Sequence, residues 1–290
     1  MSQKKVAIVL VNYNGLKDTI ECVKSIKEST YSDYQIIIVE NDSNDKEEIK
    51  GNEYLNENTM ILFSKCNMGF SGGNNLAIKY ALENNYEYVL LLNNDTTVDK
   101  EFLRYLIEAS VEYDAGIVTG NIYFYYDKNK LWYSAGKYDY ETGQTMMCGK
   151  KMNSQIPVEV NFATGCLLLI TRGTLERCGM LSNEYFLYSE DTDFCCNALR
   201  NSERIVWTPY SRIYHKVSAS TKENSPFQEY YLIRNNLIIT KKYGTKKLRA
   251  YVNRTWQSIK EVLKGHYKVG PLVNAWMDFL EGKTGRSSKY

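Results

Sequence analysis

Five segments of this chain carry residue types that can do chemistry. In LLLNNDTTVD (90–99) an apolar run stops, and Asn93, Asn94 and Asp95 follow at once. A carboxylate at the end of a buried parallel strand lies where such sheets take ligands. A hard oxygen donor there suits Mg2+ or Mn2+ bound together with a diphosphate, although the same residues can also cap a turn. VENDSNDKEE (39–48) repeats the arrangement: Glu40, Asn41, Asp42 and Asp45 offer donors and acceptors for a nucleobase or ribose edge, or form a polar turn. In NMGFSGGNN (67–75) three glycines permit close backbone approach to a ligand, and Asn74 or Asn75 can cap a following helix whose N-terminus favours phosphate. FLYSEDTDFCCNALR (186–200) crowds Glu190, Asp191 and Asp193 at a helix start behind an aromatic stretch. That setting suits a general base, and equally a helix cap. Last is His215 in RIYHKVSAST, either a structural histidine or a metal or phosphate contact.

The elements that must position these residues follow from hydrophobic periodicity. KVAIVLV (5–11), QIIIV (35–39), MILFS (60–64) and YVLLL (88–92) read as buried strands. Between and after them, 18–29, 74–85 and 100–113 read as helices, which predicts an α/β fold with a mostly parallel central sheet flanked by helices. Residues 117–170, rich in Tyr and β-branched residues, predict antiparallel or mixed strands extending it. Helices are predicted at 172–178, 191–201 and 226–243, the last opened by Pro226, and a strand at 204–207.

At 290 residues with 43% hydrophobic and 24% charged, the composition is that of a soluble globular protein. The apolar runs are far shorter than the roughly 20 residues of a membrane helix. The N-terminal run is followed directly by Asn12 and Asn14, so it reads as a first strand and not as a signal peptide. Cys22, Cys66, Cys148, Cys166, Cys178, Cys195 and Cys196 form no CxxC pair and read as buried free thiols of a cytoplasmic protein. GKT at 282–284 is not a P-loop, because Met277 stands where the first glycine belongs.

Charge is unevenly spread. Residues 241–290 hold 12 basic and 3 acidic residues, a net +9, and the other 240 hold 24 basic and 31 acidic, a net −7. The tail contains two amphipathic helical patterns. Leu248, Val252, Trp256, Ile259 and Leu263 form one stripe, with Arg254 among the basic residues off it. Pro271 opens a second helix bearing Leu272, Trp276, Phe279 and Leu280. Such a tail either rests on an anionic membrane surface or packs on the body with its charges in water.

Together, and in this order, VNYNG, VENDSND, NMGFSGGNN, LLNND, TGCLLLITRGTLERCG, FLYSEDTDFCCNALR and His215 resemble glycosyltransferase family 2, closest to the rhamnosyltransferase-like members of bacterial polysaccharide pathways. The resemblance spans about residues 5–240. It implies a GT-A catalytic domain over 1–240 with a basic helical extension over 241–290. It makes Asp95 the last residue of a DxD-type metal motif, with Asn93 at its first position, Asn94 between them and His215 as a second ligand for Mg2+ or Mn2+. It makes Asp191 the catalytic base. It assigns Asn12, Tyr13 and Asn14 to the first nucleotide loop, Glu40, Asn41 and Asp42 to the base-contacting loop, and Gly72, Gly73 and Asn74 to the loop near the sugar. The implied donor is dTDP-rhamnose, or alternatively a UDP-hexose. The implied acceptor is a glycan or lipid-linked hydroxyl, reached from the cytoplasm at the inner face of the membrane. The implied reaction is a single inverting displacement.

Two other readings compete. A nucleotidyltransferase also uses a parallel sheet and a metal-bound diphosphate, but it would carry basic glycine-rich sequence where this chain has NYNG. A non-catalytic sugar- or nucleic-acid-binding module would draw on the 25 tyrosines and the basic tail, yet it leaves the ordered carboxylate loops without a role. No nucleic-acid partner is therefore expected, and nothing in the sequence specifies an oligomeric state.

Overall fold

In the computed structural model, which describes residues 5–147, 154–217 and 225–290, VAIVLVN forms the first strand, β1 (Val6–Asn12). Val6 to Leu10 are wholly buried. Both faces of the strand are covered, which is why its apolar run is unbroken and not alternating. There follow α1 (Leu16–Lys27), β2 (Tyr34–Glu40), α2 (Lys46–Lys50), α3 (Glu53–Asn58), β3 (Met60–Phe63), α4 (Gly69–Glu83) and β4 (Tyr88–Leu92). β3, β2, β1 and β4 lie side by side and parallel. The chain steps outward from β1 to β3, then crosses back through α4 to set β4 on the other side of β1. The reversal between β1 and β4 opens a crevice at their carboxyl ends.

The rest of the sheet is mixed. It comprises β5 (Thr96–Val98), β6 (Ile117–Phe124), β7 (Asp127–Tyr133), β10 (Val158–Glu159), β11 (Leu167–Thr171) and β12 (Ile205–His215). Helix α5 (Phe102–Glu112) lies between β5 and β6, and α6 (Arg172–Cys178) and α7 (Glu190–Arg200) lie between β11 and β12. β11 runs antiparallel between β4 and β6, and β12 pairs parallel with β6 and antiparallel with β5 and β10. β8 (Lys137–Asp139) and β9 (Gln144–Met146) form a separate antiparallel pair. The predicted strand at 204–207 is the start of the eleven-residue β12. Its continuation through Thr208 and Ser211 is polar but buried, so it carries no apolar signal.

Helix α8 (Pro226–Tyr243) begins as predicted, with the Ser225 side chain accepting from the Gln228 amide at 3.2 Å. It runs through residue 240, so the division drawn there falls inside its last turn. Two further helices follow, α9 (Lys247–Leu263) and α10 (Val269–Leu280), the latter starting two residues before Pro271. α10 packs on α8 through Tyr230, Tyr231, Ile233, Leu237 and Ala275. α9 turns its small and polar side inward, at Ala250 and Ser258. Its predicted apolar stripe faces out, with Leu248 and Leu263 each 78% exposed. No helix among the described residues is long and apolar enough to cross a membrane. Of the cysteines, Cys66 is exposed, against the expectation of burial, and Cys148 lies outside the described residues.

Candidate active site

The crevice opens into a cavity of about 960 Å³. Its walls include Val11 near the end of β1 and Tyr13 just past it, Leu92 at the end of β4 with Asn93, Asn94 and Asp95 after it, Glu190 and Asp191 at the start of α7, and His215 at the end of β12. Asp95 and Asp191, far apart in the chain, therefore share one chamber.

The first loops are only partly turned toward it. Asn12 is wholly buried and outside the lining. Its Nδ2 donates to Glu40 Oε2 (2.9 Å) and Asp45 Oδ2 (3.1 Å), and its Oδ1 accepts from Thr19 (2.8 Å). Glu40 is likewise internal, accepting from the Ser43 amide (2.5 Å) and hydroxyl (3.0 Å). Both residues brace the loop instead of facing a ligand, because a buried carboxylate and amide must be satisfied within the fold. Asn14 is exposed and accepts from the Asn44 amide at 3.0 Å, and the exposed Asp42 lies 3.7 Å from Lys46. Neither lines the cavity. Asn41 does, fixed by Nδ2 donating to the Gly69 carbonyl (3.1 Å) and Oδ1 accepting from the Met68 amide (3.0 Å).

The glycine segment is helix and not loop. α4 begins at Gly69, five residues earlier than the predicted 74, and Gly72 and Gly73 lie within it, outside the lining. A Cβ on Gly73 would stand 2.9 Å from Val11 Cγ1, and one on Gly72 would stand 2.6 Å from Met68 Cβ. Gly73 lets the helix sit close against β1 and Gly72 leaves room for Met68 at the helix's own start, so of the three glycines only Gly69 lines the cavity, and the expectation of ligand approach at Gly72 and Gly73 is corrected. Asn74 lines the cavity, with Nδ2 held by the Phe70 carbonyl at 2.9 Å.

Asp95 and His215 meet because of strand pairing. β5 starts directly after Asp95 and runs antiparallel to β12, setting Thr96 opposite His215. His215 Nε2 lies 3.1 Å from Asp95 Oδ1 and 3.4 Å from Asn93 Nδ2, with the Trp132 ring edge-on at 4.6 Å. Burial opposes protonation of the imidazole, but Cys166 and Asp95 beside it outweigh this and raise its pKa to about 10. The neighbouring Lys216 ties the strand end to α1 through Asp18 (2.5 Å) and Glu21 (2.7 Å).

Asp95 and His215 offer a carboxylate oxygen and an imidazole nitrogen side by side, 3.1 Å apart, and a divalent ion held by them would displace the imidazole proton that Asp95 accepts. Among the described residues no cluster of three or more His, Cys, Asp or Glu is placed to hold a metal. Diphosphate oxygens and water would therefore complete the shell.

Asp191 is the second residue of α7. Its Oδ2 accepts from the Gly165 amide (3.1 Å) and its Oδ1 from the Thr192 amide (2.7 Å). Burial raises its pKa against these hydrogen bonds. Burial also raises Glu190 well above the carboxylate range, with Asp191 adding to the effect, and Glu190 Oε2 has no partner among the described residues. An oriented carboxylate of raised pKa in a cavity wall is suited to take a proton from a hydroxyl. Asp193, the third acid of the cluster, turns inward to Lys242 (2.7 Å) and the Tyr185 hydroxyl (3.2 Å).

Several lining residues were not singled out by their sequence. Trp132, Phe186, Arg254, Arg286 and Tyr290 all reach the cavity. Arg254 reads in sequence only as one of the basic residues off the apolar stripe of α9. That stripe faces out and Arg254 lines the cavity, and no local pattern signals which face meets the body.

Residues 7–179 match the family described as Glycosyl transferase family 2. The chain is 24% identical to the low-salt glycan biosynthesis hexosyltransferase Agl10 of Haloferax volcanii, over 98% of this chain and 93% of that one. It is 20% identical to the dTDP-rhamnosyl transferase RfbF of Shigella flexneri, over 81% and 79% of the two chains. Among solved structures, the fold matches the mannosyltransferase PcManGT from Pyrobaculum calidifontis, in complex with GDP-Man and Mn2+. The TM-score is 0.63 at 14% identity, covering 96% of this chain and 88% of that one.

Proposed function

Because the chain belongs to glycosyl transferase family 2 and has the GT-A fold, we propose that it is an inverting, metal-dependent hexosyltransferase. It passes a sugar from a nucleoside-diphosphate donor to a hydroxyl of a glycan or lipid-linked acceptor in cell-surface polysaccharide synthesis. The observation that carries this reading is the shared cavity of Asp191 and the Asp95–His215 pair.

In this mechanism Asp191 is the base. It removes the acceptor hydroxyl proton, and that oxygen bonds to the anomeric carbon as the carbon–diphosphate bond breaks on the opposite face. One displacement inverts the configuration. The Gly165 and Thr192 amides hold the Asp191 carboxylate in place for that transfer. Asn41, Asn74 and Tyr13 form the donor side of the cavity, with Asn12 and Glu40 bracing them from behind. A divalent ion on Asp95 and His215 would supply positive charge to the leaving diphosphate.

The preferred donor is dTDP-rhamnose, supported by the likeness to a dTDP-rhamnosyl transferase. A UDP-hexose is the second reading, supported by the likeness to a hexosyltransferase. The enzyme works in the cytoplasm. Its outward-facing α9 and α10 residues, with their flanking lysines, rest on the inner membrane face. Vesicle co-sedimentation unchanged by substituting Leu248, Trp256 and Leu263 with Ser would remove that attachment.

The test is a donor panel with Asp191→Asn as its control. One nucleotide sugar should be transferred by the wild type, with NMR showing inverted anomeric configuration. Asp191→Asn should bind that donor normally and lose transfer by a factor of about 10² to 10⁴. Near wild-type transfer by the variant, or a retained configuration, would refute the scheme.

A further inference from the structure

Arg254 on α9 and Arg286, beyond the end of α10, line the same cavity as Asp191. Their surroundings set them apart from Arg104, Arg172, Arg177, Arg204 and Arg249, each of which pairs with a glutamate. Arg254 hydrogen-bonds the neutral Gln257 at 3.4 Å and, among the described residues, meets no carboxylate. Burial works against its charged form, lowering its pKa, with only Tyr138 and Tyr267 opposing. Arg286 reaches the Asn67 carbonyl at 3.5 Å, and its guanidinium lies over the Phe186 ring at 5.5 Å, which orients its planar fork. Two guanidinium groups lining one cavity, neither paired with a carboxylate among the described residues, call for an anion from outside the chain.

We propose that Arg254 and Arg286 form a subsite for a phosphate or diphosphate group carried by the acceptor. A guanidinium fork matches two phosphate oxygens at once. The placement favours acceptor over donor. A Cβ on Gly143, in the β8–β9 connection, would stand 3.8 Å from Arg254 Cγ. Thr145 on the same hairpin meets Thr192, next to Asp191, at 3.5 Å. Phe186, under Arg286, belongs to the segment leading into α7. Arg254 is thus tied to the wall that carries the base, and Arg286 lies over the Phe186 segment that leads into that wall while reaching back to the Asn67 carbonyl, whereas the metal pair comes from the ends of β4 and β12. The subsite rests on the glycosyl-transfer reading for its role, and its ligand chemistry is tested apart from it.

The probe is inorganic pyrophosphate, titrated calorimetrically into the full chain in excess EDTA, which removes divalent ions from the donor side. Wild type and Asp95→Asn should bind it alike. Arg254→Gln/Arg286→Gln should weaken binding by about tenfold or more, while nucleoside-diphosphate stabilisation in Mn2+ stays unchanged. Where circular dichroism shows that the double variant has lost its fold, Arg286→Gln alone, at an exposed position, should still weaken binding severalfold. No wild-type binding at millimolar pyrophosphate, equal binding by the arginine variants, or loss in Asp95→Asn would each overturn the subsite. Failure of every donor to be transferred or hydrolysed would instead overturn the transferase reading and leave the pyrophosphate result standing by itself.

Discussion

Asn235 holds Tyr188 in place: its Nδ2 donates to the Tyr188 carbonyl at 2.8 Å and to the preceding Leu187 carbonyl at the same distance. Tyr188 and Ser189 both adopt left-handed backbone, with φ of 68° and 74°, immediately before Glu190 and Asp191. Non-glycine residues rarely take that conformation unless their surroundings hold them there. The buried Arg234 in turn grips Asn235 Oδ1 through Nε (3.0 Å) and Nη2 (2.9 Å), between the rings of Tyr230 and Tyr231.

Asn235→Ala is therefore expected to act on the base through the turn. Two part-buried carbonyls lose their donor, costing about 1–3 kcal/mol of stability. kcat should fall at least tenfold while donor affinity holds, because the donor side of the cavity comes from β1, β4 and α4. Steady-state kinetics beside a nucleotide thermal-shift assay separates the two. An unchanged kcat would remove Asn235 from any positioning role.

Metal should be linked to nucleotide binding through Asp95 and His215. A nucleoside diphosphate is expected to raise the wild-type Tm in Mn2+ and to lose most of that effect in EDTA. Asp95→Asn and His215→Gln should each show little difference between the two conditions. Stabilisation by the nucleotide that is equal with and without chelator in the wild type would contradict the assignment.

Glu190 and Asp191 predict a pH signature. Burial raises both above their ordinary values. A carboxyl with a raised folded-state pKa binds its proton more tightly when folded, so stability is lost as pH rises from the unfolded value, about 4, through the raised one. Tm should decline over that window, and Glu190→Gln should flatten the decline. Transfer needs ionised Asp191, so its acid limb should lie above the range of an ordinary aspartate. A limb at pH 4 would show that Asp191 is not the base or is not desolvated.

Gly69 joins α4 to the segment before α7. It has φ of 69°, and an added Cβ would lie 2.0 Å from the Phe186 carbonyl oxygen, which also accepts from the Phe70 amide at 2.9 Å. Gly69→Ala should cost about 3 kcal/mol or more, since backbone strain and overpacking add. Gly265 has φ of 77° with open space around it. Gly265→Ala should cost only the conformational part, about 1–2 kcal/mol. Equal losses in chemical denaturation would mean that the Phe186 segment yields freely.

By itself the sequence determined the parallel strands, most helix positions and the loops that matter. Unbroken apolar runs such as VAIVLV and YVLLL, and the 3.6-residue spacing of α1 and α5, are local consequences of burial. Pro226 behind Ser225 marks a helix start from neighbouring residues alone. What lay beyond reach depended on partners distant in the chain. Asn12 and Glu40 look as ligand-ready as Asn41, yet they satisfy each other across 28 positions and stay behind the cavity wall, which Asn41, itself buried, helps to line. The glycines at 72 and 73 read as loop because nothing nearby reveals that β1 will lie against Gly73. An amphipathic pattern gives two faces without saying which meets the core, so the inward turn of Arg254 was decided only when α9 docked with Ala250 and Ser258 toward the body. The meeting of Asp95 with His215 was decided in the same way, by β5 adding to β12, because strand pairing, and not spacing along the chain, sets which side chains share a cavity.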